Sequence, residues 1–241
     1  MKHHTLTART LLGPAAAVLS MLAGAELHAQ NIATNPAAGD TKWLKRHEGF
    51  VEQTKQGGID LLFLGDSITD GWRTAGNEVW DKFYAPRHAA AFGNAGDRTQ
   101  HLLWRIRHGE VDGLQPKVVV VLIGTANTFY PSNTSVQVTE GICAVVKELR
   151  ARLAQTKILL LAIFPRGEKT DPVRAELKEI NIALGQLELD PKVRFLDLGA
   201  KFLTGDGTLS REVMPDLIHP NAKGYQIWAE AMEATLADMV R

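Results

Sequence analysis

Apolar residues in this chain gather into short, mostly apolar runs, separated by longer stretches in which they recur every third or fourth position. The runs occupy residues 59–64, 89–92, 118–123, 158–164 and 193–198. Each is strand-length, and Val118-Val-Val-Val-Leu-Ile123 is dominated by β-branched residues, so the runs predict strands buried on both faces. The intervening stretches predict helices. Residues 43–56 are amphipathic through Trp43, Leu44, His47 and Phe50 and end at Gly57-Gly58, while Val138, Ile142, Val145, Leu149 and Leu153 mark a long crossover helix. Further helices are expected over 79–84, 99–108, 171–189, with Pro172 in its first turn, and 222–240. Strands alternating with helices require crossover connections. The pattern therefore predicts an α/β fold, a doubly wound parallel sheet in three layers.

Composition narrows the partners. The 241 residues carry 27 basic and 27 acidic side chains. Such balance supplies no electrostatic footprint for nucleic acid or anionic lipid. The first 29 residues read as a secretory signal peptide. Lys2, His3, His4 and Arg9 precede an alanine-rich apolar stretch from Leu11 to Ala25, and Leu27-His28-Ala29 suits cleavage. Gly13-Pro14 interrupts that stretch, which is shorter than the roughly 20 residues of a spanning helix. A periplasmic or secreted protein with no stable membrane anchor is expected. Residues 30–41, rich in Ala, Asn, Pro and Gly, read as a flexible leader, and 42–241 as one domain. The single Cys143 excludes an internal disulfide and reads as a buried structural thiol. No cysteine–histidine cluster has zinc spacing and no glycine pattern suits a phosphate loop, so neither metal nor cofactor is expected. Asn133-Thr-Ser135 matches a glycosylation sequon by chance, and Arg98, Arg105 and Arg107 are assigned to a solvated helix face.

The chemistry lies where the first predicted strand ends. Leu61-Leu-Phe-Leu stops at Gly65-Asp66-Ser67, placing Ser67 at the carboxyl edge of the sheet, where open α/β folds form ligand crevices. Taken alone, Ser67 reads more readily as a helix N-cap or turn residue than as a nucleophile. A serine nucleophile needs a base, and the base needs an orienting group. Asp216-Leu-Ile-His219 offers both, an acid and an imidazole three residues apart.

The blocks Gly65-Asp-Ser-Ile68, Phe92-Gly-Asn-Ala-Gly-Asp-Arg-Thr99, Gly124-Thr-Ala-Asn127 and Asp216-Leu-Ile-His219 resemble, in order and spacing, those of the GDSL/SGNH hydrolases. Within that superfamily the chain looks most like the catalytic subunits of brain-type platelet-activating-factor acetylhydrolase and their secreted bacterial relatives. His101-Leu-Leu-Trp-Arg105 and Pro165-Arg-Gly-Glu-Lys169 add to the likeness. The resemblance implies a flavodoxin-like strand order. It also implies a serine nucleophile at Ser67, a base at His219 oriented by Asp216, and oxyanion donors in the N–H groups of Ser67 and Gly96. Asp66 and Asp97 are implied as supporting residues. One block departs from the family. Ala126 stands where the family has its catalytic asparagine, which leaves Asn127 as the alternative third donor.

The expected activity is that of a serine esterase acting on small, O-acetyl-type esters through an acyl-enzyme. Acetylated glycans and lysophospholipids are both candidate substrates, and a homodimer is left open. A catalytically weakened carbohydrate-binding descendant, or an acyltransferase using the same site, are the alternatives.

Overall fold

The computed structural model describes residues 31–129, 133–187 and 190–241, and the expected signal peptide lies outside them. Five strands form one parallel sheet: β1 (Leu61–Gly65), β2 (Ala89–Gly93), β3 (Val118–Leu122), β4 (Lys157–Leu161) and β5 (Val193–Leu196). Their spatial order is β2-β1-β3-β4-β5, the flavodoxin-like arrangement. The chain winds outward from β1 first to one side and then to the other. The β1/β3 boundary is consequently the switch point, where adjacent crossovers diverge and open a crevice.

Strand side chains alternate between two cores, as the pleat requires. Leu62, Leu64, Val119, Val121 and Leu160 pack with Phe50 of α1 (Thr41–Gln56), Leu102 of α4 (Thr99–Arg105), Ile142 of α5 (Ser135–Arg152) and Ile180 of α6 (Val173–Gly185). Leu61, Phe63, Val120 and Leu159 face the other way, onto Trp72, Tyr84 and α7 (Ala222–Val240) through Trp228 and Met232. Between them, α2 (Ser67–Asp70) and α3 (Asn77–Phe83) follow β1.

Three expectations are corrected. Residues 31–40 are not a loose leader: Ala33 is fully buried, its carbonyl accepts from the Thr99 hydroxyl at 2.8 Å, and Asn31 Nδ2 donates to Gln137 O at 3.1 Å. Cys143 is half-buried against the α5 side of the core rather than enclosed. Arg105 is not on a solvated face. It is fully buried, because Leu102, Leu103 and Ile106 turn that side of α4 inward.

The Arg105 guanidinium donates to Gly65 O at 3.0 Å and Phe92 O at 3.1 Å, the carboxyl ends of β1 and β2. It also donates to Asp97 Oδ2 at 2.8 Å and to Glu110 Oε1. Glu110 Oε2 in turn meets His47 Nδ1 at 3.2 Å. One buried cation is thus shared by two buried carboxylates and two strand ends. Removing it would leave both acids uncompensated. Arg105→Met is expected to lower the unfolding free energy by about 3–5 kcal/mol in urea titration. A loss below about 1 kcal/mol would show the network to be energetically neutral.

Candidate active site

Gly65 closes β1 because nothing larger fits. A Cβ there would lie 2.3 Å from Leu122 O and 2.2 Å from Thr69 Oγ1. The chain then turns at once into α2. Asp66 caps this helix, accepting from Ile68 N–H at 2.9 Å, and Ser67 occupies the first turn, where a helix leaves its N–H unspent. Ser67 is therefore both cap-adjacent and chemically available. From α7, Tyr225 donates its hydroxyl to Ile68 O at 2.6 Å and holds the short helix down.

The acid–base pair arrives from the loop before α7. Ser67 Oγ lies 2.9 Å from His219 Nε2, and His219 Nδ1 lies 2.7 Å from Asp216 Oδ2. Asp216 Oδ1 also accepts from the N–H groups of Ile218, at 3.0 Å, and His219, at 2.7 Å. Partial burial raises the Asp216 pKa, but the His219 N–H and ring and the Ile218 N–H outweigh it, and the net shift is downward. Asp216 thus remains an acceptor-only carboxylate at neutral pH. Leu217 between them is left-handed at φ 60°, a strained conformation for a branched residue. That kink is what lets one carboxylate hold two successive N–H groups and the ring of the same loop.

Gly96 also belongs to this edge. It follows β2 at φ 82°, a Cβ placed there would meet nothing within 4 Å, and its N–H donates to no described group. A cavity of about 670 Å³ opens beside it, bounded by Trp43, Arg46, Asn94 and His101. Asp97, next in sequence, faces inward, fully buried, and accepts from Arg105 Nε and Trp43 Nε1. Burial pushes its carboxyl up to about 6 against the opposing pull of Arg105 and Trp43.

The third block is positioned after β3. Since Leu122 pairs with Gly65, residues 124–128 occupy the same edge as Ser67. Gly124 leads into a 3₁₀ turn over Thr125–Thr128, in which Ala126 is partly exposed. Asn127 is fully buried and turned away. Its Nδ2 donates to Thr99 Oγ1, Gln100 Oε1 and Asn133 Oδ1 at 3.2, 3.3 and 3.0 Å, and its Oδ1 accepts from Thr99 N–H at 2.9 Å. Asn127 therefore has no donor left for an oxyanion. The expectation that it could stand in for Ala126 is corrected by this burial. Asn133, the sequon asparagine, is consumed by the same network.

A sequence profile of the GDSL-like lipase/acylhydrolase family matches residues 63–227, a span containing Ser67, Gly96, Asn127, Asp216 and His219. The chain belongs to that family. It is similar to human platelet-activating factor acetylhydrolase IB subunit alpha1, at 35% identity over 199 residues that cover 82% of this chain and 84% of that protein. The rat alpha2 subunit is 37% identical over 202 residues, covering 80% and 86%. Among solved structures, a GDSL-like lipase from Bacteroides thetaiotaomicron superposes with a TM-score of 0.66 at 16% identity, covering 80% of this chain and 97% of that one. An acetylxylan esterase from Geobacillus stearothermophilus gives 0.58 at 19% identity, covering 76% and 94%. These two share the fold. Within the family, sequence reasoning misses Arg105, Trp43 and Tyr225 as supports of the site. The spacing Leu102–Arg105–Ile106 on one helix face was the available signal for Arg105.

Among the described residues no group of three metal-ligating side chains converges. Asp66 is a further perturbed group. Burial pushes its carboxyl up to about 7, Asp97 adds to the rise, and the Ile68 N–H and His219 oppose it; its Oδ2 has no described partner. Because this pKa is raised on folding from an ordinary 3.8, the folded state keeps a proton that the unfolded chain releases. The contribution of Asp66 to stability is greatest in acid and falls as pH rises from about 4 to about 7. Asp66→Asn keeps the acceptor for Ile68 N–H but cannot titrate. Denaturation at a series of pH values should show wild type losing stability relative to this variant across that window and running parallel above it. A constant difference would contradict a protonated Asp66.

Proposed function

We propose that this acylhydrolase-family chain is a serine esterase that removes small O-acyl groups, acetyl foremost, through an acyl-enzyme on Ser67. The observation that carries this reading is the hydrogen-bonded series Ser67 Oγ, His219 Nε2 and Nδ1, Asp216 Oδ2, with successive separations of 2.9 and 2.7 Å. Ser67 Oγ attacks the ester carbonyl carbon and its proton passes to Nε2. The tetrahedral oxyanion collapses, the carbon–alkoxide bond breaks, and Nε2 returns the proton to the departing alcohol. Water then attacks the acyl-enzyme with His219 again acting as base, and the acid leaves. Asp216 holds the imidazole tautomer and stabilises the imidazolium. The N–H groups of Ser67 and Gly96 meet the oxyanion. Ala126 contributes no side-chain donor. The acetylhydrolase names of the sequence relatives support the acetyl preference.

Ser67→Ala is expected to lower p-nitrophenyl acetate turnover on the order of 10⁴-fold or more while the chain remains folded, since triad members act as a unit. Retention of most turnover would remove Ser67 as nucleophile. Ala126 favours the second reading, a weakened descendant that binds rather than hydrolyses, and wild-type protein inert toward this ester would support it.

The missing donor makes a separate prediction. Restoring one oxyanion side chain is worth on the order of 10²-fold in kcat, because the contact strengthens as charge develops. Ala126→Asn should therefore raise kcat with little change in KM. No gain, measured on the same ester, would mean that the two backbone donors suffice.

A further inference from the structure

Two loops that must stay in register meet at one dipeptide after β4. Arg166 is 9% exposed, and its guanidinium donates to Thr128 O at 2.7 Å from Nη2 and to Thr128 Oγ1 at 2.9 Å from Nη2 and 3.2 Å from Nε. The Thr128 hydroxyl donates in turn to Thr125 O at 2.8 Å. The cation thereby closes both ends of the 3₁₀ turn that carries Ala126. Its carbon also sits 4.0 Å over the centroid of the Phe129 ring. Among the described residues no carboxylate lies within ion-pair distance of it. Burying a cation without a direct ion pair is costly, and here the turn and the ring compensate at contact while Asp171 and Glu176 do so at longer range.

The next residue reaches the opposite loop. Gly167 N–H donates to Leu217 O at 2.9 Å, the carbonyl of the strained residue between Asp216 and His219. A second tie lies beside it. Arg211 donates to Pro215 O at 3.0 Å and to Glu168 Oε1 at 2.8 Å, so the segment after β4 grips this loop at two points.

We propose that Arg166 is a positioning residue, which together with Gly167 clamps the Thr125–Thr128 turn against the Asp216–His219 loop. The clamp sets where the turn backbone and the imidazole stand relative to Ser67. This inference rests on the esterase reading for its kinetic consequence, but not for its structural one. A guanidinium is required rather than a charge, because two of its nitrogens address one residue in a fixed fork.

Arg166→Gly and Arg166→Lys test it with p-nitrophenyl acetate. Both should lower kcat about 10–10²-fold with KM within about threefold, the loss expected for misplaced reacting groups. Millimolar guanidinium chloride should restore kcat in Arg166→Gly and leave the wild type unchanged. Wild-type kcat in both variants, a rise in KM alone, or absence of rescue would overturn the proposal. Amide hydrogen exchange separates it from the esterase reading. In Arg166→Gly, exchange should accelerate at both 125–129 and 216–219, whether or not the protein hydrolyses any ester, and unchanged protection at 216–219 would overturn the clamp. Thr128→Val, which removes the accepting hydroxyl and keeps the shape, guards against a misfolded arginine variant. Wild-type kcat and exchange in folded Thr128→Val would likewise overturn it.

Discussion

The fully buried Arg105 guanidinium is the contact on which the site depends. It joins the carbonyl ends of β1 and β2 to Asp97 and Glu110, so the positions at which the chain leaves those strands are fixed relative to each other. Ser67 begins two residues beyond one of these carbonyls, and Gly96 follows the other. A fully buried charge is costly unless paired and hydrogen-bonded, and that requirement couples the members of the arrangement to one another. Weakening any one partner exposes the rest of the network to an uncompensated charge.

Much of this was legible in the residues. Mostly apolar runs announce strands covered on both faces, and the three-to-four spacing after β3 announces α5, because both signals are local and periodic. The Gly-Asp-Ser strand end and the Asp-x-x-His pair are also local, and each alone is ambiguous. Resemblance to a family brought them together.

What stayed illegible depends on tertiary packing. Arg105 reads as solvated until the apolar side of α4 is known to face the sheet. Residues 31–40 read as loose because their contacts, with Thr99 and Gln137, lie far along the chain. Asn127 could be weighed but not assigned, since the direction of its amide follows from a 3₁₀ turn that alternation along a strand does not foresee. The block Pro165-Arg-Gly-Glu-Lys169 marks a family likeness but not the role of Arg166, whose partner Thr128 lies 38 residues earlier.

The serine and its histidine are separated by 152 positions, with four of the five strands formed between them. A nascent chain could thus complete the entire sheet, which ends at Leu196, and still lack its base. Under the proposed mechanism, chemical competence therefore comes after the sheet is complete. On the proposed esterase reading, a copy that has not yet received residues 216–219 is inert toward esters, and turnover requires that this segment has docked beside Ser67.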